Sequence, residues 1–155
     1  MIKVQLAIHV IAVIIAIGPV TVAASMFPRV ATRAFADSGD DRDHASLRTL
    51  HRICRVYTAV GVVVPVFGIA TAKSLGVLSS PWLIVSMVLT AAAAAVLVFV
   101  ILPRQNFLVA EARVPSIEAV PSLLKRLAIY TGVFNLLWVV VTVLMIVRPG
   151  STTGA

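Results

Sequence analysis

Charge is what this sequence has least of. Asp, Glu, Lys and Arg make up 12% of its 155 residues, where a soluble globular domain carries roughly 25%. Apolar residues make up 60%, with a mean hydropathy of +1.05. A domain with an ordinary solvated surface is excluded. The single cysteine, Cys54, excludes an internal disulfide, and without a partner it reads as a buried thiol rather than a reactive one. Acidic residues number only six. Four of them lie in Asp37-Ser38-Gly39-Asp40-Asp41-Arg42-Asp43, which lacks the ligand spacing of a calcium loop and reads as a solvated turn ending in a helix cap. No Ser-His-acid set, phosphate loop or metal-ligand spacing occurs, so neither enzymatic activity nor a metal is expected. A net charge of +7 would raise the question of nucleic acid in a soluble chain. In so apolar a chain it is read as membrane topology instead, and no nucleic-acid partner is expected.

Apolar length is what the chain has. About 20 mostly apolar residues cross a hydrocarbon core of ~30 Å as a helix, and four stretches come close: Val4 to Ala24, Val56 to Ala72, Trp82 to Leu102 and Ala128 to Val147. None contains Asp, Glu, Lys or Arg. The expected fold is an all-α bundle of four transmembrane helices in one integral membrane domain, residues 1–155. Ten basic residues flank the two long loops: Arg29, Arg33, Arg42, Arg48, Arg52, Arg55, Arg104, Arg113, Lys125 and Arg126. Lys3, Lys73 and Arg148 remain for the opposite side. The positive-inside rule then puts both termini outside. Lys3, the apolar run and Val22-Ala23-Ala24 superficially resemble an export signal, but the arginines that follow predict an uncleaved anchor.

The two halves also resemble each other. Phe27-Pro28-Arg29 and Leu102-Pro103-Arg104 are expected to end spans one and three. Leu50-His51-Arg52-Ile53 before Tyr57-Thr58 matches Leu124-Lys125-Arg126-Leu127 before Tyr130-Thr131. A duplicated hairpin, its copies related by an axis along the membrane normal, is one reading. The demand of every hairpin for proline, basic residues and interfacial tyrosine is the other.

His9 is the one ionisable group well inside a span, and Gln5 lies one turn away on the same face, so a buried hydrogen-bonded pair is expected. A haem between His9 and His51 is disfavoured, because the two should sit near opposite ends of the bundle, roughly 30 Å apart along the axis. Thr131, Asn135, Trp138 and Thr142 share one face of span four, which should point at protein. Ser86, Thr90 and Ala94, and likewise Gly68 and Ala72, repeat small residues at every fourth position and are expected to bring helices close. Pro65 should bend span two, and Gly18-Pro19 should do likewise in span one. His44, Arg48, His51, Arg52 and Arg55 form a broad basic face, with Leu47, Leu50 and Ile53 opposite. Arg48, Arg52 and Arg55 are thus candidates for contact with anionic lipid headgroups or with an acidic partner.

Several of these residues carry a resemblance. His9-Val10, Gly18-Pro19, the approach from Leu47 to Arg55, Gly68 to Ala72 and Met145-Ile146-Val147-Arg148-Pro149-Gly150 together resemble an uncharacterised bacterial four-helix integral membrane family, distantly similar to the copper-resistance D group. The resemblance spans nearly the whole chain and implies a four-helix fold. That group uses Met and His ligands near the outer face, where this chain offers only His9. In size, topology and Ala, Val and Arg richness the chain is also similar to accessory subunits of high-GC bacterial respiratory supercomplexes.

The reading taken is a non-catalytic, multi-pass protein of the bacterial plasma membrane. It is expected to act as an accessory or scaffolding subunit packed against other integral membrane subunits, in the respiratory-chain setting the second resemblance implies. The alternative is a small transporter or a quinone-, haem- or metal-binding protein with its site between the hairpins, drawing on His9, Gln5, Asn135 and Trp138. No cofactor is specified by the residues.

Overall fold

The computed structural model describes residues 2–37, 40–112 and 120–150. Arg113, counted for the topology, and Ser38 and Gly39 of the expected turn lie outside the described residues. The elements are α1 (Ile2–Ala36), α2 (Asp41–Gly61), α3 (Val63–Ser74), α4 (Pro81–Ala95), a wider π-helical stretch (Val96–Ile101), α5 (Leu102–Glu111) and α6 (Val120–Val147). They form four rods long and apolar enough to cross a membrane: Lys3–Ala36, Asp41–Ser74, Pro81–Glu111 and Val120–Val147. The chain is an all-α, four-helix, multi-pass membrane protein.

Each rod is ~40–50 Å long at 1.5 Å per residue, well beyond a ~30 Å hydrocarbon core. The apolar runs mark only the part that lipid would cover, and the helices continue past them. Pro28 therefore does not end span one: α1 passes unbroken through both Pro19 and Pro28 to Ala36. A proline in an apolar helix removes the donor to the carbonyl one turn back, here Ile15 O and Ala24 O, without ending it; Ser25 and Thr32 donate instead to the Thr21 and Pro28 carbonyls of their own turns. Pro103 does not end span three either. The π-helical turns before it change the hydrogen-bond register just where a residue without an N–H must be placed. In span two the ladder does break, at Val62, whose N–H reaches back only to Ala59 O at 3.3 Å. Pro65, three residues on, offers Gly61 O no donor and crowds it.

The expected cap is present at the start of α2, where Asp40 Oδ1 accepts from Arg42 N at 2.8 Å, and Arg33 Nε bridges to Asp43 Oδ2 at 3.4 Å across the α1–α2 turn. The expected broad basic face is divided. His44 is buried and His51 half-buried, while Arg48, Arg52 and Arg55 are exposed, because His44, Leu47, His51 and Cys54 share the heptad-like stripe turned towards the bundle.

Packing is uneven along the axis. At the end bearing the two long loops, Phe27, Leu47, Ile101, Leu108, Leu127 and Phe134 form a core drawn from every span. At the end bearing the termini, α3 packs against α1, and α4 against α6. A small cluster of Ala72, Trp82 and Leu83, with Val77 and Met145, bridges the two pairs. Between this bridge and the main core the hairpins separate.

Candidate ligand-binding cleft

The separation leaves a cavity of about 1130 Å³ lined by residues of all four spans. From α1 come His9 and Val13; from α3, Gly68 and Thr71; from α4, Trp82 and Thr90; from α6, Trp138 and Thr142, with Arg148 just past its end. Most of the remaining lining is aliphatic. Thr90 and Ala94, and Gly68 and Ala72, all face this space. Of the small residues expected to bring helices together, Ser86 is fully buried and Ala72 joins the bridging cluster, while Thr90 and Ala94 serve to make room in the cleft.

His9 is fixed by α3. Its Nδ1 lies 3.1 Å from the Val64 carbonyl oxygen, which can only accept, so Nδ1 carries the proton, and in the neutral ring Nε2 is left as an acceptor. Gly68 makes the approach possible: a Cβ there would stand 2.9 Å from His9 Cε1. The expected His9–Gln5 pair is not formed. Gln5 Oε1 is buried without a hydrogen-bond partner, and Gln5 is not part of the cleft lining. Asn135 also lies elsewhere, donating from Nδ2 to Ser25 Oγ at 2.9 Å and so tying α6 to α1. Of the four residues proposed for a site between the hairpins, the structure brings together His9 and Trp138 and leaves out Gln5 and Asn135. The stripe on span four is split in the same way, with Thr131 buried in the bundle and Trp138 and Thr142 at the cleft.

The polar groups of the cleft differ in how they are satisfied. Thr71, Thr90 and Thr142 donate to carbonyls one turn back in their own helices, leaving lone pairs but no protons. The indole N–H groups of Trp82 and Trp138 are buried and have no acceptor. Such groups are normally paired, and leaving one unpaired costs ~1–3 kcal/mol. At the termini end of the cleft the Arg148 guanidinium lies over the Trp82 ring, 5.7 Å from its centroid. Trp82 and Arg148 had no place in the sequence-level site. Trp82 marked only the start of a span and Arg148 only a flanking charge, and a Trp and an Arg at the same predicted membrane level were the available signal.

A second polar contact lies towards the loop end. Gln105, fully buried, accepts from His51 Nδ1 at 3.3 Å and donates from Nε2 to Cys54 Sγ at 3.6 Å. His51 precedes Val64 by thirteen residues along the α2–α3 rod, or ~20 Å at 1.5 Å per residue, so it belongs to a different level from His9. Among the described residues no three His, Cys, Asp or Glu side chains come together as metal ligands.

A scan against family models finds no match to this chain, and searches of curated proteins and of solved structures likewise find none.

Proposed function

We propose that this chain is a non-catalytic protein of the bacterial plasma membrane that holds a lipid-soluble molecule in the cleft between its hairpins. One observation carries the reading: two buried indole N–H groups without acceptors belong to tryptophans lining a largely apolar cavity of about 1130 Å³. Ligand sites pair apolar walls with a few convergent polar groups, and drug-sized ones occupy ~300–1000 Å³. A cavity somewhat larger suits a molecule with a long chain or several rings that offers the indoles an acceptor. With the termini outside, the cleft lies in the outer half of the bilayer.

The test is chemical extraction of protein purified in a mild detergent, followed by mass spectrometry, beside the cleft-filling variant Ala94→Phe. The expected result is close to one equivalent of a single lipophilic compound from the native chain and its loss from an equally stable variant. Equal recovery from both, or no compound from either, would refute the reading.

The exposed row Arg48, Arg52 and Arg55 supports a second reading, an accessory or scaffolding subunit docked through that row onto an acidic face of another membrane protein, as in a respiratory supercomplex. Anionic headgroups would satisfy the same arginines at ~1 kcal/mol each. Co-purification of a stoichiometric partner, lost when the three arginines are changed to Gln, would favour docking.

A further inference from the structure

We propose that the cleft takes a membrane lipid with an anionic head group, which Arg148 and the Trp82 indole bind at the termini end while the chains lie along the apolar walls towards His9. This rests on the ligand-binding reading of the cleft and adds the class of ligand.

The charge distribution supplies the first argument. The five described acidic side chains, Asp37, Asp40, Asp41, Asp43 and Glu111, lie at the end of the bundle that bears the long loops. Among the described residues, Lys3, Lys73 and Arg148, at the termini end, therefore have no acidic side chain to meet. Of these three, Arg148 alone lines the cleft. It is half-buried, and its only side-chain hydrogen bond among the described residues is a long one, from Nε to Met145 O at 3.4 Å. A guanidinium in this setting is a fork of donors suited to a phosphate or carboxylate.

Backbone geometry supplies the second. Arg148 is the one described non-glycine residue with positive φ, at 46°, in the left-handed region that an L-residue enters only at a cost. Helix α6 ends here, with Arg148 N bonded to Leu144 O at 3.0 Å, and glycine is the usual residue for such an end. The strain accompanies a position in which the guanidinium stands over Trp82. Trp82 is itself only 7% exposed, and its Nε1 is buried without a partner, so a cation and an unused N–H donor occur together at one end of the cavity.

The tryptophans provide the readout. The chain has two, Trp82 and Trp138, and both line the cleft, so all tryptophan emission comes from this site. The full chain is placed in bilayers of phosphatidylcholine or phosphatidylglycerol carrying bromine on identical acyl chains, each diluted in its unlabelled counterpart or in the other lipid. Trp82 is 7% exposed, so a labelled chain inside the cleft comes closer to it than one in the surrounding bilayer. The expected result is half-maximal quenching at a roughly tenfold lower mole fraction of labelled phosphatidylglycerol than of labelled phosphatidylcholine, the size of one charge-assisted hydrogen bond. The preference should disappear in Arg148→Gln and Arg148→Gly and survive in Lys73→Gln. Arg148→Gly relieves the backbone strain, so it guards against misfolding as the cause. Equal quenching by the two lipids, or equal loss of preference in Lys73→Gln, would overturn the head-group assignment while leaving the cleft occupied. Preference for a bromine-labelled free fatty acid over phosphatidylglycerol would overturn the membrane lipid as the source. Absence of quenching by any labelled chain would instead remove the ligand-binding reading itself.

Discussion

His9 rests on Gly68 because there is no Cβ to keep it away, and the contact makes a sharp prediction. In Gly68→Ala the added carbon would meet His9 Cε1 at 2.9 Å, and forced overpacking costs ~1–3 kcal/mol. The thermal midpoint in detergent should fall. The loss should shrink markedly when His9→Ala is already present, since contacting residues are non-additive. The same loss in both backgrounds would show that Gly68 serves something other than the imidazole. Gln105 gives a second test. Gln105→Leu leaves His51 and the Cys54 thiol without their shared partner, and a loss of ~1–3 kcal/mol is expected in unfolding measurements. An unchanged midpoint would assign the pair no structural weight. His9 and Trp138 were legible in the sequence as polar groups in apolar spans. Gln5 and Asn135 were equally conspicuous but misled, because periodicity fixes a helical face without saying which neighbour that face meets. Gln105 drew no notice, since its burial depends on α5 continuing beyond the apolar run.

Among the elements, proline has three different outcomes here. Pro19 and Pro28 sit in an unbroken α1, Pro103 follows a π-helical stretch, and Pro65 lies just after the break between α2 and α3. Pro65 falls at the expected interruption of span two, whereas Pro28 and Pro103 do not end their helices, because the response depends on what the surrounding helices can offer to a freed carbonyl. Pro65→Ala would return a donor to Gly61 O. Stability should rise by on the order of 1 kcal/mol, less than the ~3 kcal/mol of a proline in a regular helix interior, since the chain has relaxed around the break. Hydrogen exchange across residues 61–65 should slow. Faster exchange there would mean that the interruption has another origin. The hairpins also differ in where they are interrupted, the first in its second rod and the second in its first rod. Tyr57 and Tyr130 nevertheless pack against the same core.

At the scale of the whole molecule, the number of spans was legible because lipid imposes a run length and forbids charge, and both constraints act on composition alone. The cleft was not legible. It arises because the loop end contributes large side chains such as Phe27, Leu47 and Phe134 to a common core, while small residues at the termini end face open space. That is a matter of depth and helix pairing, which a single sequence does not display. The orientation predicted from the basic residues can be tested on cells with single cysteines in a Cys54→Ser background. A membrane-impermeant maleimide should label a cysteine at Lys73 and spare one at Asp41; the reverse pattern would invert the topology. The central claim, that the space between the hairpins holds a lipid-soluble molecule, is tested most directly by native mass spectrometry of the chain released straight from its own membrane. The account predicts the mass of the chain plus one small lipophile, absent from Ala94→Phe; the bare chain mass, or a complex containing only other protein subunits, would contradict it.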